Sequence, residues 1–194
     1  MLALGDSYTI GEGVPEADRW PEQLADRLDD AGLEVVVDIV ARTGWTTAEL
    51  DRGVDIADPT GPFDVVTLLI GVNNQFRGLP IEDYRTELAA LLERAVGFAG
   101  GDPGRVVIVS IPDWGATPFG QNRIPAQVAT EIDAFNRVAR EEADRVGAWW
   151  VDVTGISRGG DPRLVAADGL HPSAEQYRLW VDEILPVVES ILGR

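Results

Sequence analysis

The sequence contains no cysteine, which excludes disulfides, thiolate nucleophiles and cysteine-ligated metals. It contains no lysine either, so all 16 positive charges are arginine. That removes the P-loop lysine, Schiff-base chemistry and the lysine of phosphoaspartate transferases together. A single histidine, His171, is too few for a multi-histidine zinc site, so any imidazole acid–base chemistry falls to that residue. Long apolar runs are missing as well. The longest, Val65 to Val72, falls far short of the roughly 20 residues of a membrane span. No basic segment leads into an apolar one near the start, so the expected compartment is the cytoplasm. Against the arginines stand 33 acidic residues, for a net charge of −17. Nucleic acid is therefore not an expected partner, because phosphate binding needs a basic face; anionic membrane surfaces are disfavoured likewise.

What is present is an ordinary globular balance, with 45% hydrophobic and 25% charged residues, and a length of 194 residues that suits one domain over 1–194. Met1 to Leu4 is a short apolar opening that ends at Gly5-Asp6-Ser7. A helix is expected over Pro21 to Ala31, with proline in its first turn and Gly32 at its end. Glu34 to Val40 is rich in β-branched residues and reads as a strand. Thr46 and Glu49 form a capping box for a short helix. Phe63 to Ile70 is nearly continuous in apolar character, as in a strand buried on both faces. After Pro80 an amphipathic stretch runs from Ile81 to Phe98, followed by a strand over Arg105 to Ser110 and a helix over Ala126 to Val146. Trp149 to Val153 reads as the last strand, and Ser173 with Gln176 as the capping box of a final helix to about Leu192. The stretch from Thr154 to Asp168 shows no clear element of its own, and a loop of that length often serves function. Strand starts recur about every thirty to forty residues, the length of a βαβ crossover. The expected fold is therefore α/β, with five parallel strands and helices on both faces.

In such sheets ligands bind beyond the carboxyl ends of the strands. Gly5-Asp6-Ser7 follows the first strand, Arg42-Thr43-Gly44-Trp45 the second and Gly71-Val72-Asn73-Asn74 the third. With strand order 2-1-3-4-5 those three segments are neighbours, and Asp168-Gly169-Leu170-His171 arrives just before the final helix. These are the parts that acyl transfer needs. A serine becomes a nucleophile only when a base takes its proton; imidazole titrates in the right range, and a carboxylate fixes its tautomer. Ser7, His171 and Asp168 are the candidates for those roles. The oxyanion of the tetrahedral intermediate needs preorganised donors, and the N–H groups of Ser7 and Gly44 with the Asn73 amide would supply three, each worth ~3 kcal/mol.

Gly5-Asp6-Ser7, Gly44, Gly71-Val72-Asn73 and Asp168-x-x-His171, in that order, resemble the blocks of the SGNH (GDSL-type) hydrolases. The resemblance runs from Gly5 to His171, nearly the whole chain. It implies a flavodoxin-like three-layer α/β/α fold and hydrolysis of a small-molecule carboxylic ester (a small acyl ester, a lysophospholipid or an acetylated sugar) without cofactor or metal. It also implies Ser7 as nucleophile and oxyanion donor, Gly44 and Asn73 as the other donors, His171 as base and Asp168 as its partner. The usual α/β-hydrolase elbow is absent around Ser7. The family's third block commonly reads Gly-x-Asn-Asp, and here Asn74 stands in the last place. Adjacent strand-end side chains point opposite ways, so one asparagine faces the site, and spacing from Gly71 favours Asn73.

Trp45, Trp114, Phe76 and Asn74 follow strand ends and are candidates for contact with substrate. Trp149, Trp150 and Trp180 read as packing residues, and Ser110 is a second strand-end serine without a paired histidine and aspartate. Two other functions fit parts of the pattern. A Mg-dependent phosphoaspartate transferase would use Asp6, although Tyr8 stands where its second aspartate belongs. A flavodoxin-like binding module without catalysis would stack a planar ligand on Trp45 and Trp114.

Overall fold

Leu2, Leu4, Val66, Leu68, Val106 and Val107 are fully buried, as strands covered by helices on both faces must be. The computed structural model describes residues 1–193, the side chain of Asn122 apart. Its strands are β1 (Leu2–Gly5), β2 (Asp38–Ala41), β3 (Val66–Leu69), β4 (Val106–Val109) and β5 (Trp149–Val151). They form one parallel sheet in the order β2-β1-β3-β4-β5, the order expected from the sequence. The helices are α1 (Ser7–Ile10), α2 (Trp20–Asp30), α3 (Thr47–Ala57), α4 (Val72–Phe76), α5 (Ile81–Phe98), α6 (Pro125–Val146), α7 (Thr154–Ser157) and α8 (Ala174–Leu192). One layer pairs α2 with α8, and the other sets α3, α5 and α6 side by side. The first layer also ties early chain to late chain: Gln23 donates to the Ala174 carbonyl at 3.1 Å and Arg27 pairs with Asp182 at 3.0 Å.

The boundaries differ from the sequence reading where pairing, rather than propensity, decides. The expected strand at Glu34 starts only at Asp38, because β1 begins at Leu2 and Leu2 pairs with Asp38. Earlier β-branched residues have no neighbour strand; Val36 is 76% exposed, and its carbonyl accepts the Met1 amino group at 2.7 Å. The stretch from Thr154 to Asp168 is not featureless. It holds α7 and a 3-10 turn at Pro162–Leu164 capped by Asp161, both too short to leave a periodic pattern in sequence. The Thr46–Glu49 capping box forms with both of its hydrogen bonds. At α8 the serine half forms, Gln176 N–H to Ser173 Oγ at 3.3 Å, while the Gln176 side chain is buried.

Two helices that bear on function, α1 and α4, start directly at the carboxyl ends of β1 and β3 and read as loops in sequence. Gly5 makes the first junction possible. A Cβ there would lie 2.2 Å from Thr9 Oγ1 and 2.6 Å from the Leu69 carbonyl oxygen, so strand, helix and neighbouring strand close together only over glycine. Gly5→Ala is expected to destabilise the fold by about 1–3 kcal/mol through overpacking. Urea unfolding measures this, and a loss within error of zero would contradict the close approach.

Candidate active site

Asp6 follows β1 and caps α1, its Oδ1 accepting the Tyr8 N–H at 3.0 Å. Ser7 is the first residue of α1, so its own N–H has no acceptor inside the helix. From the neighbouring strand end, the turn after β2 closes with the Trp45 N–H on the Arg42 carbonyl at 3.2 Å. Gly44 sits in that turn at φ +84°, a conformation that side chains disfavour. The Gly44 carbonyl accepts a hydrogen bond from Arg77, which also pairs with Glu49 at 3.2 Å.

Asn73 lies on α4 rather than at a strand end, so strand alternation does not select it; the helical turn does. Its Nδ2 donates to the Trp45 carbonyl at 2.9 Å and to Asp6 Oδ2 at 3.3 Å, which brings the three strand-end segments into contact. Asp6 is fully buried. Burial pushes its carboxyl up to about 7, against the lowering effect of the hydrogen bonds from Tyr8 and Asn73.

His171 is delivered by a self-closed turn. Val165 and Pro172 form an antiparallel bridge, and the Ala166 N–H donates to the His171 carbonyl at 2.8 Å. Inside it, Asp168 Oδ1 accepts the N–H groups of Leu170 (2.9 Å) and His171 (3.0 Å), while Oδ2 contacts His171 Nδ1 at 2.6 Å. Partial burial works to raise the Asp168 carboxyl, but those hydrogen bonds prevail and hold it below its ordinary value. An ionised carboxylate can only accept, so Nδ1 carries the proton and Nε2 is left as the basic nitrogen. The imidazole also rests edge-on against Tyr8, with ring centroids 5.7 Å apart.

Ser7, Gly44, Asn73 and His171 line one pocket of about 150 Å³. Its apolar wall is Val72, Phe76, Trp114, Phe119 and Leu170. Phe76 and Trp114 are the pocket residues expected from the sequence; Phe119 joins them. It reaches the pocket because its N–H donates to the Gly169 carbonyl at 2.9 Å, tying its loop to the histidine turn. Two sequence candidates do not line the pocket. Trp45 lays its indole over Gly53 on α3 and contributes only its carbonyl. Asn74 points into the interior, where its Oδ1 accepts the Thr47 N–H at 3.1 Å and its Nδ2 donates to Thr47 Oγ1 at 2.7 Å. One residue on, a helix turns the side chain by about 100°, which separates it from Asn73.

Ser110 is enclosed, accepting the Val153 and Thr154 N–H groups at 2.8 and 3.1 Å and donating to Asp152 at 3.0 Å. A larger hollow of about 460 Å³ opens at the amino ends of the strands, beside Met1, Val36 and Asp64, and contains none of these groups. Among the described residues no cluster of three or more histidine, aspartate or glutamate side chains is placed to hold a metal ion. No helix among them is long and apolar enough to cross a membrane.

The sequence matches the model of the GDSL-like lipase/acylhydrolase family over residues 3–179. An arylesterase of Vibrio mimicus is 25% identical over 191 residues, covering 95% of this chain and 85% of the relative. The esterase TesA of Pseudomonas aeruginosa is 24% identical over 197 residues, covering 99% and 89%. The crystal structure of TesA superposes with a TM-score of 0.78 at 21% identity, over 98% of each chain, a likeness of fold. A family match over nearly the whole sequence, on a sheet of order 2-1-3-4-5, establishes that this chain belongs to the GDSL-like lipase/acylhydrolase family, a family of ester hydrolases.

Proposed function

We propose that the chain hydrolyses carboxylic esters through an acyl-enzyme on Ser7. The observation that carries this reading is the Asp168–His171 pair opening onto the pocket that Ser7 also lines. Nε2 of His171 takes the Ser7 proton as Oγ attacks the ester carbonyl. The imidazolium, held by Asp168, then protonates the departing alcohol. Water repeats the sequence on the acyl-enzyme and releases the acid. The oxyanion is met by the N–H groups of Ser7 and Gly44 and by one N–H of Asn73. That amide keeps its 2.9 Å bond to the Trp45 carbonyl and frees the N–H of its longer, 3.3 Å contact with Asp6.

A phosphoaspartate mechanism at Asp6 has no support in the geometry, since that carboxylate is enclosed and both of its oxygens are engaged. Asp6 is instead a positioning residue, joining the first turn of α1 to Asn73.

Ser7→Ala is expected to reduce p-nitrophenyl acetate hydrolysis by at least about three orders of magnitude and to abolish fluorophosphonate labelling, with circular dichroism unchanged. A variant as fast as the parent would sink the mechanism. Asn73→Ala is expected to lower kcat by about 10²–10³-fold, the loss typical of one oxyanion donor. Equal kcat with a raised KM would assign it to binding instead.

Asp6 makes a pH-dependent prediction. Its folded-state value of about 7 lies above the ordinary 3.8. Between those values the folded protein keeps a proton that the unfolded chain has released. Its contribution to stability is therefore full below about pH 4 and lost as pH rises through about 7. Asp6→Asn removes that slope. The unfolding free energy of the parent minus that of the variant should be more favourable at pH 4.5 than at pH 7.5. An equal difference at both would rule out the burial effect.

A further inference from the structure

The pocket of about 150 Å³ is closed on one side by Phe76, Trp114, Phe119 and Leu170. Immediately beside it lies a wider groove of about 500 Å³, floored by Val128 and rimmed by Arg123, Ile124 and Glu131. Phe76 and Trp114 line both spaces, so these two rings are the partition between them. The rings meet edge to face, with centroids 5.2 Å apart at 71°, and Phe119 braces Trp114 at 6.0 Å.

The partition is held in place by hydrogen bonds. Trp114 Nε1–H donates to Gln75 Oε1 at 2.7 Å, and Gln75 Nε2 donates in turn to Glu131 Oε2 at 2.7 Å. Both ends of the Gln75 amide are engaged, so the indole cannot turn away without leaving a buried donor and acceptor unpaired. Asp113, paired with Arg158 at 2.8 Å, caps the 3-10 turn at Trp114–Ala116 that carries the ring. Phe76, by contrast, is 45% exposed, and the Arg123 guanidinium lies over its ring at 5.8 Å.

We infer that the Trp114–Phe76 pair sets acyl-chain length, confining the substrate to short acyl groups, with Gln75 as the residue that positions Trp114. This rests on the esterase reading above. The placement of the acyl chain follows from the direction of the reaction. The leaving oxygen must face His171 to be protonated, and the carbonyl oxygen must face Gly44 and Asn73. The remaining substituent runs along α4, where Phe76 lies one turn beyond Asn73 on the same side. It ends against the indole. Removing either ring joins the pocket to the groove, whose floor and rim offer Val128 and the largely exposed Ile124 to a longer chain.

The test is kcat/KM on p-nitrophenyl acetate, butyrate and octanoate for the parent, Trp114→Ala, Phe76→Ala and Gln75→Ala. The parent should favour acetate and butyrate. The octanoate-to-acetate ratio should rise at least about tenfold in Trp114→Ala and in Phe76→Ala, the discrimination available from one or more methylenes in an apolar pocket. In Gln75→Ala it should rise by a smaller factor while acetate kcat stays within a few-fold. Phe76 is exposed enough to be replaced without loss of the fold, so the inference stays testable if Trp114→Ala fails to fold. A folded Phe76→Ala whose ratio stays within twofold of the parent overturns the partition while leaving the esterase reading intact. A parent that cleaves none of the three esters and takes no fluorophosphonate overturns that reading instead.

Discussion

The carboxylate of Asp6 has two oxygens, and each holds a different part of the molecule. One fixes the first turn of α1, where Ser7 begins the helix; the other holds the amide of Asn73 on α4. Because Asn73 also reaches the Trp45 carbonyl, three separate strand ends are joined through one enclosed group. That arrangement is costly. A buried carboxyl with two hydrogen bonds and no cationic partner titrates far above its ordinary range. The sheet supplies the compensation, since β1 and β3 are buried along their whole length.

The remaining pieces are closed by largely local hydrogen bonds. The turn around Asp168 and His171 satisfies its own backbone, with one carboxylate oxygen on two N–H groups and the other on the ring. The Gly44 corner is held by Arg77 and, through Glu49, by the capping box that starts α3. The site is thus an assembly of preformed corners rather than a cavity shaped by one continuous element. Their common position follows from parallel topology, which puts every strand's carboxyl end on one side.

Much of this is legible in sequence, for identifiable reasons. Ser7, Gly44 and Asn73 stand just beyond strands where glycine interrupts an apolar run, and Asp168 and His171 stand in a turn just before the final helix, so their places follow from pattern. Strand order is what the resemblance to the SGNH hydrolases implies, and the sheet has it. What escapes is whatever depends on three-dimensional neighbours. Val36 has strand propensity but no strand beside it. Trp45 resembles a pocket residue until Gly53 on α3 offers its indole a bed. Asn73 and Asn74 separate by helical geometry rather than by strand alternation, one lining the pocket and the other bonded to Thr47. Phe119 is invisible because its link to the site is a backbone bond to Gly169, and backbone bonds leave no trace in side-chain identity.

The packing of α2 against α8, joined by Gln23 to Ala174 and Arg27 to Asp182, has a consequence for biosynthesis. The segment bearing Ser7 is synthesised well ahead of the turn bearing His171, with most of the sheet and its helices in between. Contacts so distant in sequence close late, after the loop-closure entropy of the intervening chain has been overcome. On the esterase reading, a nascent chain holding an exposed serine would be inert towards cellular esters until α8 docks. Hydrolytic competence would then wait on the docking of α8 against α2.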